Sequence, residues 1–125
     1  MTASIAHDSN LTCAIPSGCP CPGETVSCEC IAVAGTQNIE WSGSIFEGGD
    51  ERCSSISVLI DGTPEECNGI KAYGYSTPDG HFISNMNLTA NPRYNSKTVQ
   101  CRIVHGNEGQ LRLVGSVTIN TTPGG

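Results

Sequence analysis

The sequence predicts an all-β domain, a β-sandwich of two packed antiparallel sheets tied by disulfides. Three observations predict it. Apolar residues recur at period two in short segments, the mark of half-buried strands. Clusters of Gly, Pro, Asn and Asp separate those segments at intervals of roughly 8–12 residues, as in sandwiches. The 125 residues include 8 cysteines, an even count that reads as a disulfide framework in a small turn-rich chain. There is no long amphipathic helix pattern, no heptad and no internal repeat.

Taken in order, Val26, Cys28 and Cys30 lie on one side of segment 24–30, with Thr25, Ser27 and Glu29 on the other. Ile39 and Trp41 share a face against Glu40 and Ser42. Ile56, Val58 and Ile60 alternate with Ser57 and Leu59. Phe82, Met86 and Leu88 face one way, and Ile83, Asn85 and Asn87 the other. Val99, Cys101 and Ile103 alternate with Thr98, Gln100 and Arg102. Leu111, Leu113, Gly115, Val117 and Ile119 alternate with Arg112, Val114, Ser116 and Thr118. Turn signals fall between these segments, at 16–23, Gly48-Gly49, Asp61-Gly62, Asp79-Gly80, Asn91-Pro92 and Gly106-Asn107.

Composition narrows the function classes. The formal net charge is −6, and no two Lys or Arg residues are adjacent. The chain therefore lacks the basic footprint of a nucleic-acid binder or a polybasic membrane anchor. Charged residues are only 14%, while Gly and Pro number 15 and 7, which favours a turn-rich β chain over a disordered one. Asn10, Asn87 and Asn120 each begin an Asn-X-Thr glycosylation sequon. With the cysteines they point to an oxidising, extracellular setting. Residues 1–8 lack the apolar core of a signal peptide, and no stretch approaches the ~20 apolar residues of a membrane span. The expectation is one domain over 1–122, with its core in 23–119. Residues 123–125 would begin a linker to neighbouring domains of a longer chain.

Cys30, Trp41 and Cys101 supply the pattern that specifies the sandwich. In an immunoglobulin sandwich a B-strand Cys bridges to an F-strand Cys, and a C-strand Trp packs on that bridge. The alternation places all three of these residues inward. The strings GETVSCEC, IEWSGSIF, KTVQC and LVGSVTIN resemble the B, C, F and G strands of immunoglobulin superfamily domains. Within that superfamily the chain is similar to the multi-domain cell-surface and allorecognition receptors of early-branching animals, over roughly 23–119. The resemblance implies an immunoglobulin-like Greek-key topology. The chain departs from it at Val99, which stands where such domains usually place a tyrosine-corner Tyr, and in its N-terminal cysteines.

Cys28 and Cys30 both point inward, so either can pair with Cys101. Alignment with the family string selects Cys30. Cys53 and Cys67 flank one predicted strand and would staple the region after strand C. Cys13, Cys19, Cys21 and Cys28 then remain, with three possible pairings. A hairpin near Pro20 would bring Cys13 opposite Cys28 but leave Cys19 and Cys21 in a tight Cys-Pro-Cys ring. Thiolates in Cys-X-Cys pairs also suit zinc or copper(I), yet the Cys-X2–4-Cys spacing of structural zinc is absent. The expectation is disulfides and no metal.

No catalytic constellation stands out. His7, His81 and His105 lie in no H-E-x-x-H frame, and Gly74 to Pro78 is not a nucleophile elbow. Glu47, Asp50 and Glu51 lack the ligand rhythm of an EF-hand. The chain is expected to be neither an enzyme nor a cofactor protein. The resemblance implies an extracellular recognition or adhesion domain of a cell-surface receptor. Its partner would be a protein on another cell or a second copy of the chain. The alternative is a secreted immune-type or carbohydrate-binding protein, in which Arg102 would grip an acidic sugar. The expected binding surface is the outward face of strands G, F and C. On it the alternation places Glu40, Ser42, Thr98, Gln100, Arg102, Val104, Arg112, Val114 and Ser116. Ser27, Glu29 and Asn87 fall on the opposite sheet, which a glycan on Asn87 would cover.

Overall fold

The computed structural model describes residues 10–14, 23–47, 53–60, 62–105 and 111–120. Among these residues nine strands follow in order: β1 (Asn10–Ala14), β2 (Thr25–Ala32), β3 (Thr36–Ser42), β4 (Ile56–Val58), β5 (Glu65–Cys67), β6 (Ile70–Ser76), β7 (Phe82–Thr89), β8 (Lys97–His105) and β9 (Leu111–Ile119). All pairings are antiparallel. They form one sheet in the order β1-β2-β7-β6-β5 and a second in the order β4-β3-β8-β9. This is an immunoglobulin-like Greek-key sandwich. β1, β2, β7 and β6 take the places of strands A, B, E and D, and β4, β3, β8 and β9 those of C′, C, F and G.

The two inner faces make the core because alternate residues of each strand turn toward the other sheet. Val26, Cys28, Cys30 and Ala32 of β2 are buried, as are Phe82, Ser84, Met86 and Leu88 of β7. From the second sheet come Ile39, Trp41, Val58, Val99, Cys101 and Ile103. Burying one such apolar side chain stabilises the fold by roughly 1.5–3 kcal/mol.

Among the described residues, three disulfides tie this framework. Cys30–Cys101 crosses between the sheets, with Cα atoms 6.4 Å apart. Cys13–Cys28 joins directly opposed residues of β1 and β2. Cys53–Cys67 connects the approach to β4 with β5, and so links the two sheets at their shared side. Cys13 therefore pairs with Cys28, one of the arrangements the sequence left open. Cys19 and Cys21 lie outside the described residues. Three disulfides fit a protein that folds in an oxidising, secretory or extracellular compartment.

A second crossing runs beside the covalent one. Trp41 Nε1 donates to Ser84 Oγ at 2.7 Å, and Ser84 Oγ donates to the Tyr73 carbonyl at 2.8 Å. Trp41 is the β3 neighbour of Cys101, and Ser84 is the β7 neighbour of Cys30. The disulfide and the indole are thus adjacent rungs between the same four strands.

The strands differ from expectation in three ways. β1, β5 and β6 carry no clear apolar alternation in the sequence, yet each takes its place in the first sheet. β4 ends at Val58, so Leu59 and Ile60 are exposed, and Ile60 does not continue the inward row. The third difference, in β9, changes the candidate site. Residues 1–9 and 121–125, including the expected linker at 123–125, lie outside the described residues.

Candidate binding face

The outward surface of β4, β3, β8 and β9 is assembled row by row from strand register. Residues directly opposite in an antiparallel pair project to the same face. Ser42, Gln100 and Ser116 form one row, and Thr98 faces Thr118 in the next. Glu40 stands between Ser57 and Arg102, which gives the next row across β4, β3 and β8.

A register shift in β9 then departs from simple alternation. Cys101 pairs with Gly115, but Arg102 pairs with Leu113, so Val114 is skipped. An extra residue on one strand reverses the facing of everything beyond it. Leu113 therefore extends the Ser57–Glu40–Arg102 row, and Leu111 faces Val104 beside it. Leu113 is 59% exposed and Leu111 43%.

This corrects the expected face at two positions. Val114 is turned from the outward surface and packs, half-buried, against the core. Arg112 pairs with buried Ile103 and so leaves the outward row; it is exposed only because β9 is an edge strand. The period-two reading of β9 holds from Gly115 to Ile119 and fails before it. Glu40, Gln100, Arg102 and Val104 stand on the face as expected, all half-buried. Ser42 is also in that phase, but it is buried, and its Oγ has no partner among the described residues. Thr98 is engaged at the rim, where its backbone N–H donates to Ser44 Oγ at 2.8 Å.

The centre of this face mixes charge with apolar surface. Glu40 and Arg102 are direct cross-strand neighbours of opposite sign. Arg102 Nη2 is 3.5 Å from Gln100 Oε1, a long contact that leaves the guanidinium only weakly held. Leu111, Leu113 and Val104 adjoin this pair. An apolar centre with a polar rim is the anatomy of protein interfaces.

The opposite sheet shows a different surface. Ser27 pairs with Asn87 and Glu29 with Asn85, which puts all four on one face, as the alternation predicts. Tyr73 and Tyr75 of β6 stack there with ring centroids 6.1 Å apart, beside Asn85 and Ile83 in register. Asn10 and Asn120 are exposed, at the edge strand β1 and just past β9.

Among the described residues, the remaining chemistry-bearing side chains form no second site. His81 contacts Asp79 at 3.2 Å within the β6–β7 hairpin. Hydrogen bonds from Thr77 and then from His81 hold the Asp79 carboxyl below its ordinary range. Glu47 is exposed after the 3-10 turn Ser44–Phe46, while Asp50, Glu51, His7 and the loop at Asn107 lie outside the described residues. His105 lies in β8.

One cluster escaped the sequence reading. Buried Tyr94, in the turn before β8, donates its hydroxyl to the Asn68 carbonyl at 3.1 Å. Arg93 Nη2 donates to the same carbonyl at 2.8 Å, and the guanidinium carbon Cζ of Arg93 lies over the Tyr94 ring, 4.8 Å from its centroid. Asn68 in turn donates to the Phe46 carbonyl at 2.9 Å. Tyr94 thus ties the turn before β8 to the β5–β6 turn. No protein-family model matches the chain, and no curated protein matches it.

Proposed function

We propose that this chain is an extracellular recognition domain of the immunoglobulin superfamily that binds a protein partner through the β4-β3-β8-β9 face. The observation that carries this reading is the register shift in β9, which turns Leu111 and Leu113 outward next to the Glu40–Arg102 pair. The partner fitted best by that arrangement is a second copy of the chain, presented from an opposed surface. In a two-fold contact each residue meets its complement twice, so Glu40 of either copy would meet Arg102 of the other. The net charge of −6 opposes such pairing mildly, and a screening length of about 8 Å at physiological salt limits that opposition. Cell-surface display in a longer receptor chain gives such a contact its use in adhesion, since many weak contacts add by multivalency.

Clustering of beads coated with the chain tests this reading. Arg102→Glu and Leu113→Asp should abolish clustering, while Asn87→Gln should not. The reading fails if both face variants cluster as wild type, or if wild-type beads do not cluster at all. A second reading, a secreted carbohydrate binder, draws on the Tyr73–Tyr75 pair, because exposed aromatic rings can pack against sugar rings. Loss of binding in Tyr73→Ala and Tyr75→Ala, with the face variants unaffected, would favour it.

A further inference from the structure

We propose that the glycan expected at Asn87 has a preformed seat, a groove on the β1-β2-β7-β6-β5 face that receives its first N-acetylhexosamine. This rests on the secretory compartment and not on which face binds a partner, so bead clustering can fail while it stands. Asn87 and Thr89 sit two residues apart on β7 and project to one face, which puts both functional side chains of the sequon on the outer surface. Ser27 Oγ donates to Asn87 Oδ1 at 2.7 Å. That bond turns the amide oxygen toward β2, and Lys71 is the neighbour of Asn87 on the other side, in β6. A groove of about 460 Å³ opens there, lined by Thr25, Glu66, Lys71 and Thr89, with Gly69 adding no side chain to fill it. Two hydroxyls, an ammonium and a carboxylate supply donors and acceptors suited to the hydroxyls and acetamide of an N-acetylhexosamine. Asn10 and Asn120, by contrast, stand exposed at a sheet edge and a strand end.

The attachment itself needs a lipid-pyrophosphate-linked oligosaccharide, supplied in the secretory compartment before β7 is paired. Nδ2 forms a bond to the anomeric carbon, the bond from that carbon to the pyrophosphate oxygen breaks, and the pyrophosphate leaves with the electron pair. One Nδ2 proton passes to a base. Folding then lays the first sugar into the groove.

The experiment uses the full chain secreted from a eukaryotic host, with a sequon appended after Gly125 as an internal control. Mass spectrometry of peptides should find Asn87 occupied in wild type and Thr89→Ser, and vacant in Thr89→Ala. An amidase acting on the native protein should release the Asn87 glycan about tenfold more slowly than the appended one, the ratio that ~1.4 kcal/mol of seating gives. The difference should vanish after reduction and denaturation. Glu66→Ala with Lys71→Ala should keep Asn87 occupied and raise its native release rate toward the control. Asn87 vacant while the appended sequon is occupied overturns the proposal. So does native release at Asn87 as fast as at the appended site, or a double variant that leaves that rate unchanged.

Discussion

Trp41 and Ser84 link the sheets next to Cys30–Cys101, and their hydrogen bond is buried. Removing the serine hydroxyl leaves the indole N–H without its acceptor. Ser84→Ala should therefore lower stability by about 1–3 kcal/mol, read as a lower urea midpoint at unchanged slope. Gly43 supplies a second residue-scale test. Its φ is 116°, and a Cβ there would overlap the Thr98 carbonyl oxygen on β8. Gly43→Ala should cost about 3 kcal/mol or more, since strain and a backbone clash combine. A calorimetric scan showing Gly43→Ala melting with wild type would contradict this close approach. Of these residues, Cys30, Trp41 and Cys101 were legible because each lies in a clean alternating segment. Ser84 was not, because its partner is brought to it only by the packing of two sheets. Tyr94 was hidden in the same way, its acceptor lying on the β5–β6 turn.

At the scale of elements, the legible strands are those whose inward residues are large. β2, β7 and β8 announce themselves through Val26, Met86, Leu88, Val99 and Ile103. β6 reverses the signal, since small Ala72 and Gly74 point inward while Tyr73 and Tyr75 point out. In β5 two exposed glutamates precede Cys67. β9 was legible as a strand but not in phase, because a bulge leaves the composition of a segment unchanged while reversing its faces. The phase is testable through stability alone. Val114→Asp should destabilise by about 2–4 kcal/mol, because the carboxylate would replace a side chain packed on the core. Leu113→Asp should stay within about 0.5 kcal/mol of wild type, as exposed substitutions do. Equal losses, or the reverse order, would show simple alternation in β9. The β6–β7 hairpin gives a pH test. The Asp79 carboxyl is held below its ordinary value of 3.8 by Thr77 and His81, so its contribution is present above that value. It is lost as pH falls through the lower, folded-state value. Asp79→Asn should therefore flatten the acid limb of a melting-temperature profile below pH 3.8 and leave the neutral range unaltered in slope.

The whole molecule is a small sandwich whose covalent ties close loops of very different length. The separation is 71 residues for Cys30–Cys101 and 15 and 14 for the other two. On chain entropy the long loop contributes roughly 4 kcal/mol and each short one about 3 kcal/mol. Reductant should unfold the protein, with the loss of Cys30–Cys101 the largest step, and a chelator should not. The binding account depends on the same framework, since it holds β3 and β8 in the register that sets Glu40 beside Arg102. Its central claim, a two-fold contact between copies through this face, is tested most directly by charge exchange on coated beads. Beads carrying Arg102→Glu alone, or Glu40→Arg alone, should not cluster, because each meets its own kind with like charges opposed. A mixture of the two should cluster as wild type does, because both contacts become complementary again. Clustering of either variant by itself, or failure of the mixture to recover, would contradict the account.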